Sequence, residues 1–236
     1  KPEIADQIAI GYFKNFGKAN DYETNIEGYY KKLQNQVDYV DGASLLLNEL
    51  LEADLLSGIG RAYGMEVYVK KNNGKLTGWV SYTLARSERQ VTGINDGNWY
   101  PNRFDRKHNL YIVSQYQLNQ KWEFAANFVF STGTPATFYT GQYSVQGYVV
   151  PDAGSNARNN VRNPTYHRLD LSATYTRKKT KEFESYWVFS CYNAYNRRNP
   201  FSIYFSTNYK DLGQNAAIRY SVIGSIIPAV SYNFKF

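Results

Sequence analysis

The sequence is poor in the residues that most often carry chemistry or cross-links. It has one cysteine, Cys191, one methionine and two histidines in 236 residues. A lone cysteine excludes an internal disulfide. Without cysteine or histidine neighbours at ligand spacing it also excludes a zinc site, so Cys191 reads as a small side chain within a strand. No run of about 18 apolar residues occurs, which excludes a transmembrane helix. Nucleophile motifs, metal pairs and phosphate loops are missing, and Gly58, Gly60 and Gly64 do not lead from a strand into a helix, so a dinucleotide reading fails. No enzyme activity, cofactor or metal is expected. The sequence starts at Lys1 and contains no basic segment followed by an apolar stretch. The expectation is that a secretory signal was cleaved or that the true start lies upstream.

Aromatics, by contrast, are plentiful. They make up 17% of the chain, with 23 Tyr, 13 Phe and 4 Trp, yet mean hydropathy is −0.56. A soluble β protein hides such rings in a core. A membrane barrel shows them to lipid and forms interfacial belts of Tyr and Trp, while its interior and loops stay polar. The composition therefore favours membrane-spanning strands over a soluble β-sandwich binding module. The formal charge of +7 would suit nucleic acid in a soluble protein. Here the cations are dispersed and gather only in turn-like pieces such as Arg177, Lys178, Lys179 and Lys181, which reads as a turn or headgroup-facing role with no nucleic-acid partner.

Alternation with period two runs through most of the chain. Leu76, Gly78, Val80, Tyr82 and Leu84 share one face, and Tyr63, Met65, Val67 and Val69 share the matching face of the segment before it. Lys71-Asn72-Asn73-Gly74-Lys75 joins the two, and Asn-Gly is a strong hairpin signal. Further strands are predicted near 4–15, 21–38, 107–118, 121–133, 165–177, 184–208 and 216–236, which makes about nine. Short turns at 16–20, 71–75, 119–120 and 178–183 alternate with long links at 39–59, 90–106 and 134–164 and a shorter one at 209–215. That asymmetry is the signature of an outer-membrane barrel with periplasmic turns and extracellular loops.

One stretch departs from the pattern. Leu45, Leu46, Leu47, Leu50, Leu51, Leu55 and Leu56 have helical spacing, which predicts a short helix in an external loop, packed on the barrel rim. A partner-binding surface is the alternative. At the other end of the chain, Ile226, Pro228, Val230, Tyr232, Phe234 and Phe236 share one face. The terminal set Tyr232, Phe234 and Phe236 is similar to the signal by which outer-membrane assembly machinery recognises its clients. An even strand number with both termini periplasmic is the rule for bacterial single-chain barrels. Nine strands ending at Phe236 in the periplasm therefore place an earlier strand before Lys1.

The segments KPEIADQIAIGY (1–12), EGYYKKLQNQVDY (27–39), GRAYGMEVYVKKNNGKLTGWVSYTLARSER (60–89), NWYPNRFDRKHNL (98–110), STGTPATF (131–138), YNAYNRRNPFSIYF (192–205) and IIPAVSYNFKF (226–236) carry a family resemblance. Over essentially all of its length the chain resembles the C-terminal barrel region of TonB-dependent outer-membrane receptors of the Bacteroidota type. The resemblance implies an all-β, antiparallel transmembrane β-barrel in which residues 1–236 supply about the last nine of 22 strands, with long extracellular loops, as part of a single barrel domain. It implies a plug and an energy-coupling segment upstream of Lys1, location in the cell outer membrane, and uptake of a scarce nutrient such as a siderophore, oligosaccharide or peptide. The implied partners are membrane lipids and lipopolysaccharide, the TonB complex through the N-terminal region, the outer-membrane assembly machinery and, as a further candidate, a surface lipoprotein.

Substrate contacts are expected from the long loops. Trp99, Tyr100 and Arg103 in one loop, and Phe138, Tyr139, Tyr143 and Tyr148 in another, offer stacking surfaces and a cation suited to sugars, peptides or siderophores. Girdle or loop packing is the alternative reading of the same rings. His108 follows Asp105 at three residues, a spacing that puts the two on opposite strand faces, and it is expected to pin its loop to the wall. His167, beside Arg168 and Asp170, reads as a polar rim residue. A complete small outer-membrane barrel acting as an enzyme or adhesin stays open as the alternative function.

Overall fold

The computed structural model describes residues 1–43, 48–139, 141–146, 148–152, 157–180, 182–207 and 215–236. In chain order the strands are β1 (Ile4–Phe16), β2 (Tyr22–Tyr39), β3 (Leu55–Lys71), β4 (Leu76–Val91), β5 (Tyr100–Pro101), β6 (His108–Gln117), β7 (Trp122–Ser131) and β8 (Pro135–Ala136). They continue with β9 (Gly141–Val145), β10 (Tyr148–Asp152), β11 (Val161–Arg162), β12 (Tyr166–Lys179), β13 (Glu184–Tyr192), β14 (Ser202–Thr207), β15 (Asn215–Tyr220) and β16 (Ile227–Lys235). Nine long strands form one antiparallel meander in the order β1-β2-β3-β4-β6-β7-β12-β13-β16, with short β5 attached to β4. β1 and β16 are its edges among the described residues.

The pairing register carries the alternation across the whole sheet. Val80, Ile112, Phe128 and Leu169 lie side by side on β4, β6, β7 and β12. So do Tyr116, Phe124, Ala173, Phe189 and Val230 from β6 to β16. The opposite face repeats Gln115, Ala125, Ser172, Ser190 and Ala229. Near the short turns, Trp122, Tyr175, Trp187 and Tyr232 form one aromatic row, with centroids 4.9 Å apart for Trp122 and Tyr175 and 4.8 Å for Trp187 and Tyr232. Tyr232, Phe234 and Phe236 contact one another in succession at the end of β16.

The sheet is a single layer. Among the described residues the buried apolar core consists of Val91, Ile94 and Tyr100, with Leu56 against them, and it sits under a loop, not between two sheet faces. Large side chains on the apolar face stay uncovered, Ile10 being 81% exposed. Burying each such Leu, Ile or Phe is worth about 1.5–3 kcal/mol, so a face of this extent is costly to leave in water. A soluble sandwich, which encloses its apolar residues between two sheets, does not describe this chain.

Three sequence expectations need correction. The segment 45–56 is not a helix where it is described. Leu51–Asp54 form a single 3-10 turn, and Leu55 and Leu56 already belong to β3, paired with Tyr39 and Asp38; residues 45–47 lie outside the described residues. The segment 184–208 is two strands, because Asn193 and Asn196 adopt left-handed φ of 55° and 56° and turn the chain after Tyr192. The segment 216–236 is likewise broken, with β15 pairing β14 in a separate ribbon. The link between β13 and β16 therefore spans 193–226 and is long, like the other three on that end.

Gly78 has φ +141°, and a Cβ there would lie 2.1 Å from the Val113 carbonyl oxygen on the paired strand. Gly78→Ala is expected to destabilise the β4–β6 pairing by roughly 1–3 kcal/mol, read as a lower urea midpoint in detergent micelles.

Candidate functional site

The long connections gather at one end of the sheet, and a one-residue irregularity in β2 prepares the site there. Leu33 faces Gly60 and Gln36 faces Gly58, so β2 carries an extra residue, accommodated by Asn35 at φ 55°. An extra residue reverses which face the following side chains take. Before it, Ile26 and Tyr30 lie on the apolar face; after it, Asp38 turns to the polar face, where a carboxylate can be used.

Tyr100 reaches Asp38 because β5 places it opposite Arg89 on β4. Its ring fills the small core at 1% exposure, and its hydroxyl donates to Asp38 Oδ2 at 2.6 Å. Arg158 comes from the connection between β7 and β12. Its Nη1 donates to Asp38 Oδ1 at 2.7 Å and its Nη2 to Asp41 Oδ1 at 2.6 Å. The Arg158 amide donates to Asn95 Oδ1 at 2.6 Å, and Asn159 Nδ2 donates to the Pro101 carbonyl at 2.7 Å. Arg89 Nη1 lies 3.8 Å from Asp38 Oδ2. Three loops, 40–54, 92–107 and 132–165, are thereby tied around one carboxylate.

Burial, followed by the hydrogen bond to Asp38, pushes the Tyr100 phenol well above its usual range. The protonated donor is therefore fully present below about pH 10, the ordinary tyrosine value, and is lost only as pH rises through the raised one. Tyr100→Phe is expected to cost about 1.5 kcal/mol, the value of a hydrogen bond to a charged acceptor, and to speed amide exchange in 92–107.

A second tie lies beside it. Asp105, 2% exposed, accepts the Ser87 amide at 2.6 Å and pairs with the Arg162 guanidinium, whose Nη1 also donates to the Gly133 carbonyl at 3.2 Å. His108 is held separately, with Nδ1 2.8 Å from the Tyr82 hydroxyl and its amide donating to Thr132 Oγ1. His167 Nδ1 lies 2.7 Å from the Tyr195 hydroxyl. Next to it Arg168 donates to Asp170 and to the hydroxyls of Tyr166 and Tyr192. No group of three or more His, Cys, Asp or Glu able to hold a metal occurs among the described residues.

A cavity of about 490 Å³ opens between the three loops. Of the residues expected from sequence, Tyr100 and Arg103 line it. Tyr100 is a wall and a clamp, since its ring is enclosed and its hydroxyl used. Trp99 points elsewhere, with the Arg61 guanidinium 4.2 Å from its ring. Phe138 exchanges two backbone hydrogen bonds with the Asn160 side chain beside the cavity. Tyr139 and Tyr143 are exposed and do not line it. Tyr148 lies in β10, and its side chain is outside the described residues. Sequence reasoning missed Asp38, Arg89, Arg158 and Phe104. Phe104 lines the cavity at 80% exposure, next to Arg103, and is the most exposed aromatic among the described residues there.

No protein-family model matches the sequence, and no curated protein matches it. Solved structures do match in fold. The ferric-catecholate import receptor Fiu from Escherichia coli K12, in a closed form, superposes with a TM-score of 0.60 at 15% identity, over 99% of this chain and 28% of that one. The ferric citrate transporter FecA, unliganded, gives 0.58 at 16% identity over 98% and 31%, and the FrpB iron transporter from Neisseria meningitidis gives 0.58 at 12% over 100% and 32%. The chain spans less than a third of the length of each, and at these identities the likeness establishes a shared fold.

Proposed function

We propose that the chain is the C-terminal part of an outer-membrane transport receptor of the TonB-dependent kind, of Bacteroidota type, with the cavity among its long loops as the outer face that meets the nutrient. The observation that carries this reading is the single-layer meander itself: one apolar exposed face, one polar face, short turns at one end and long loops at the other, matching iron-import receptors over 98–100% of its length. On this reading the edges β1 and β16 pair with further strands of a 22-stranded barrel that holds a plug, and TonB supplies the energy. The outer membrane is its location, and Tyr232, Phe234 and Phe236 serve its assembly.

In this arrangement Arg103 and Phe104 meet the ligand first, while Asp38, Tyr100 and Arg158 hold the loops in place behind them. Phe138, Tyr139 and Tyr143 belong to the same outer surface. The nutrient is a siderophore, an oligosaccharide or a peptide; the ferric complexes named for two of the matching proteins make a siderophore the first to try. The test is nutrient-limited growth of a deletion strain complemented with the native-length protein or with Arg103→Gln/Phe104→Ala. The native form restores growth only in cells with active TonB, and the variant lowers uptake at least five-fold at equal outer-membrane abundance. Restoration without TonB, or recovery of the protein in the soluble fraction, contradicts the proposal.

A further inference from the structure

We infer that the polar face of β6, β7, β12 and β13 carries a second binding site, a niche that takes one uncharged sugar ring, with Gln115, Asn127 and Tyr192 holding its hydroxyls. The inference rests on the barrel reading above, in which this face lines the interior, and it narrows the nutrient classes to the saccharide. Register builds the niche. Ala125, Ser172, Ser190 and Ala229 lie side by side on four neighbouring strands. Directly opposed residues share a face, so a row of small side chains crosses the sheet as a trough. Gln115 closes that row on β6. In the row nearer the long loops Asn127, Asp170 and Tyr192 stand taller, with Val113 and Ile227 at the ends. The hollow has a volume of about 350 Å³, and no residue that lines it also lines the cavity between the loops.

Charge is the first property that selects a ligand. The acids at the niche are Asp170 and, one row nearer the turns, Glu123 opposite Thr174. Asp170 is satisfied, since Arg168 Nε donates to its Oδ2 and the Asn193 amide to its Oδ1, each at 2.9 Å. Arg168 is equally committed, its Nη1 donating to the Tyr166 and Tyr192 hydroxyls at 2.9 and 2.8 Å. Among the described residues no cation lines the hollow. A carboxylate or an anionic metal chelate would leave water there without a counter-charge, which is costly. Hydrogen-bonding capacity is the second property. A guanidinium only donates, so the Tyr192 hydroxyl accepts from it and keeps its own proton to give. The side chains of Gln115, Asn127, Ser172 and Ser190 have no hydrogen-bond partner among the described residues. Amides and hydroxyls both donate and accept, as sugar hydroxyls do, while Val113, Ala125, Ile227 and Ala229 meet the C–H face of the ring. Trp79, opposite Val113 on the same face, tilts against Tyr68 with centroids 6.0 Å apart and offers a stacking surface to the adjoining ring.

The test is saturation-transfer NMR on native-length protein in phosphocholine micelles, with glucose, galactose, mannose and xylose as neutral probes and galacturonate and citrate as acidic ones. At least one neutral sugar is expected to receive five-fold or more saturation over both acids. Gln115→Ala/Asn127→Ala removes the amides, and Ser172→Gln/Ser190→Gln fills the trough while keeping the face polar. Each should lower that transfer at least five-fold, with heat-modifiable migration confirming the fold; if one variant does not fold, the other decides. No transfer to any neutral sugar, stronger transfer to an acid, or full transfer in a folded variant overturns the inference. TonB-dependent growth alongside any of these leaves the receptor reading standing, and absence of the protein from the outer membrane overturns both.

Discussion

Replacing Arg162 by methionine is expected to cost about 3–5 kcal/mol, because it strands a buried carboxylate without its cation. Asp105 is 2% exposed, and among the described residues Arg162 is its only charged partner, with the Ser87 amide also donating to its carboxylate. The loss should fall on the loop end of the molecule. Amide exchange should rise in 98–107 and around 131–137, where Arg162 also holds the Gly133 carbonyl, while the short turns stay protected. Pairing Arg162→Met with Asp105→Leu removes both charges together, and a buried ion pair replaced by apolar groups is often neutral. The double variant should therefore recover most of the stability in urea unfolding. If the double variant is as unstable as the single one, the cost lies in packing and not in the stranded charge.

The second large effect concerns the two faces of the sheet. Phe128 lies between Ile112 and Leu169 on the apolar face, and Asn127, its chain neighbour, lies between Val113 and Asp170 on the other. An arginine on a lipid-facing strand position at mid-membrane costs about 2–4 kcal/mol, while interior positions tolerate one. Phe128→Arg should therefore destabilise the protein by that amount in lipid vesicles. Asn127→Arg should be close to neutral and is favoured by Asp170 opposite. A soluble sandwich would penalise both positions or reverse their order.

Much of this architecture was legible because period-two alternation and turn chemistry are local. The β3–β4 hairpin follows from Asn73-Gly74, and Gly74 does adopt φ +101°. The nine long strands follow from the same signal, as do the aromatic rows, since register only aligns what alternation has already sorted. The failures are also local in origin. Leucine spacing in 45–56 suggests a helix, but Leu55 and Leu56 gain more by pairing across β2. The break after Tyr192 was written in the sequence, where Asn193, Asn196, Asn199 and Pro200 are turn residues between two apolar stretches, and the structure places Asn193 and Asn196 in the left-handed region there. The site was the least legible part. Asp38 and Arg158 are 120 residues apart in sequence and meet only because three loops converge. Tyr100 was recognisable as a loop aromatic, yet whether such a ring faces ligand or core depends on the β5 pairing. Phe104, between a cation and a buried acid, had no pattern to mark it as the exposed ring.

The central claim is that one face of this sheet meets lipid and the other does not. Spin labels placed one at a time on 109–113 and 125–129, in a Cys191→Ser background reconstituted in lipid bilayers, measure it directly through collision with oxygen, which concentrates in lipid, and with a polar nickel complex, which does not. Oxygen accessibility is expected to peak at 110, 112, 126 and 128, with the intervening positions low in oxygen and, where water reaches the polar face, higher in nickel. Equal oxygen accessibility at odd and even positions, or nickel accessibility peaking at 112 and 128, would contradict the account.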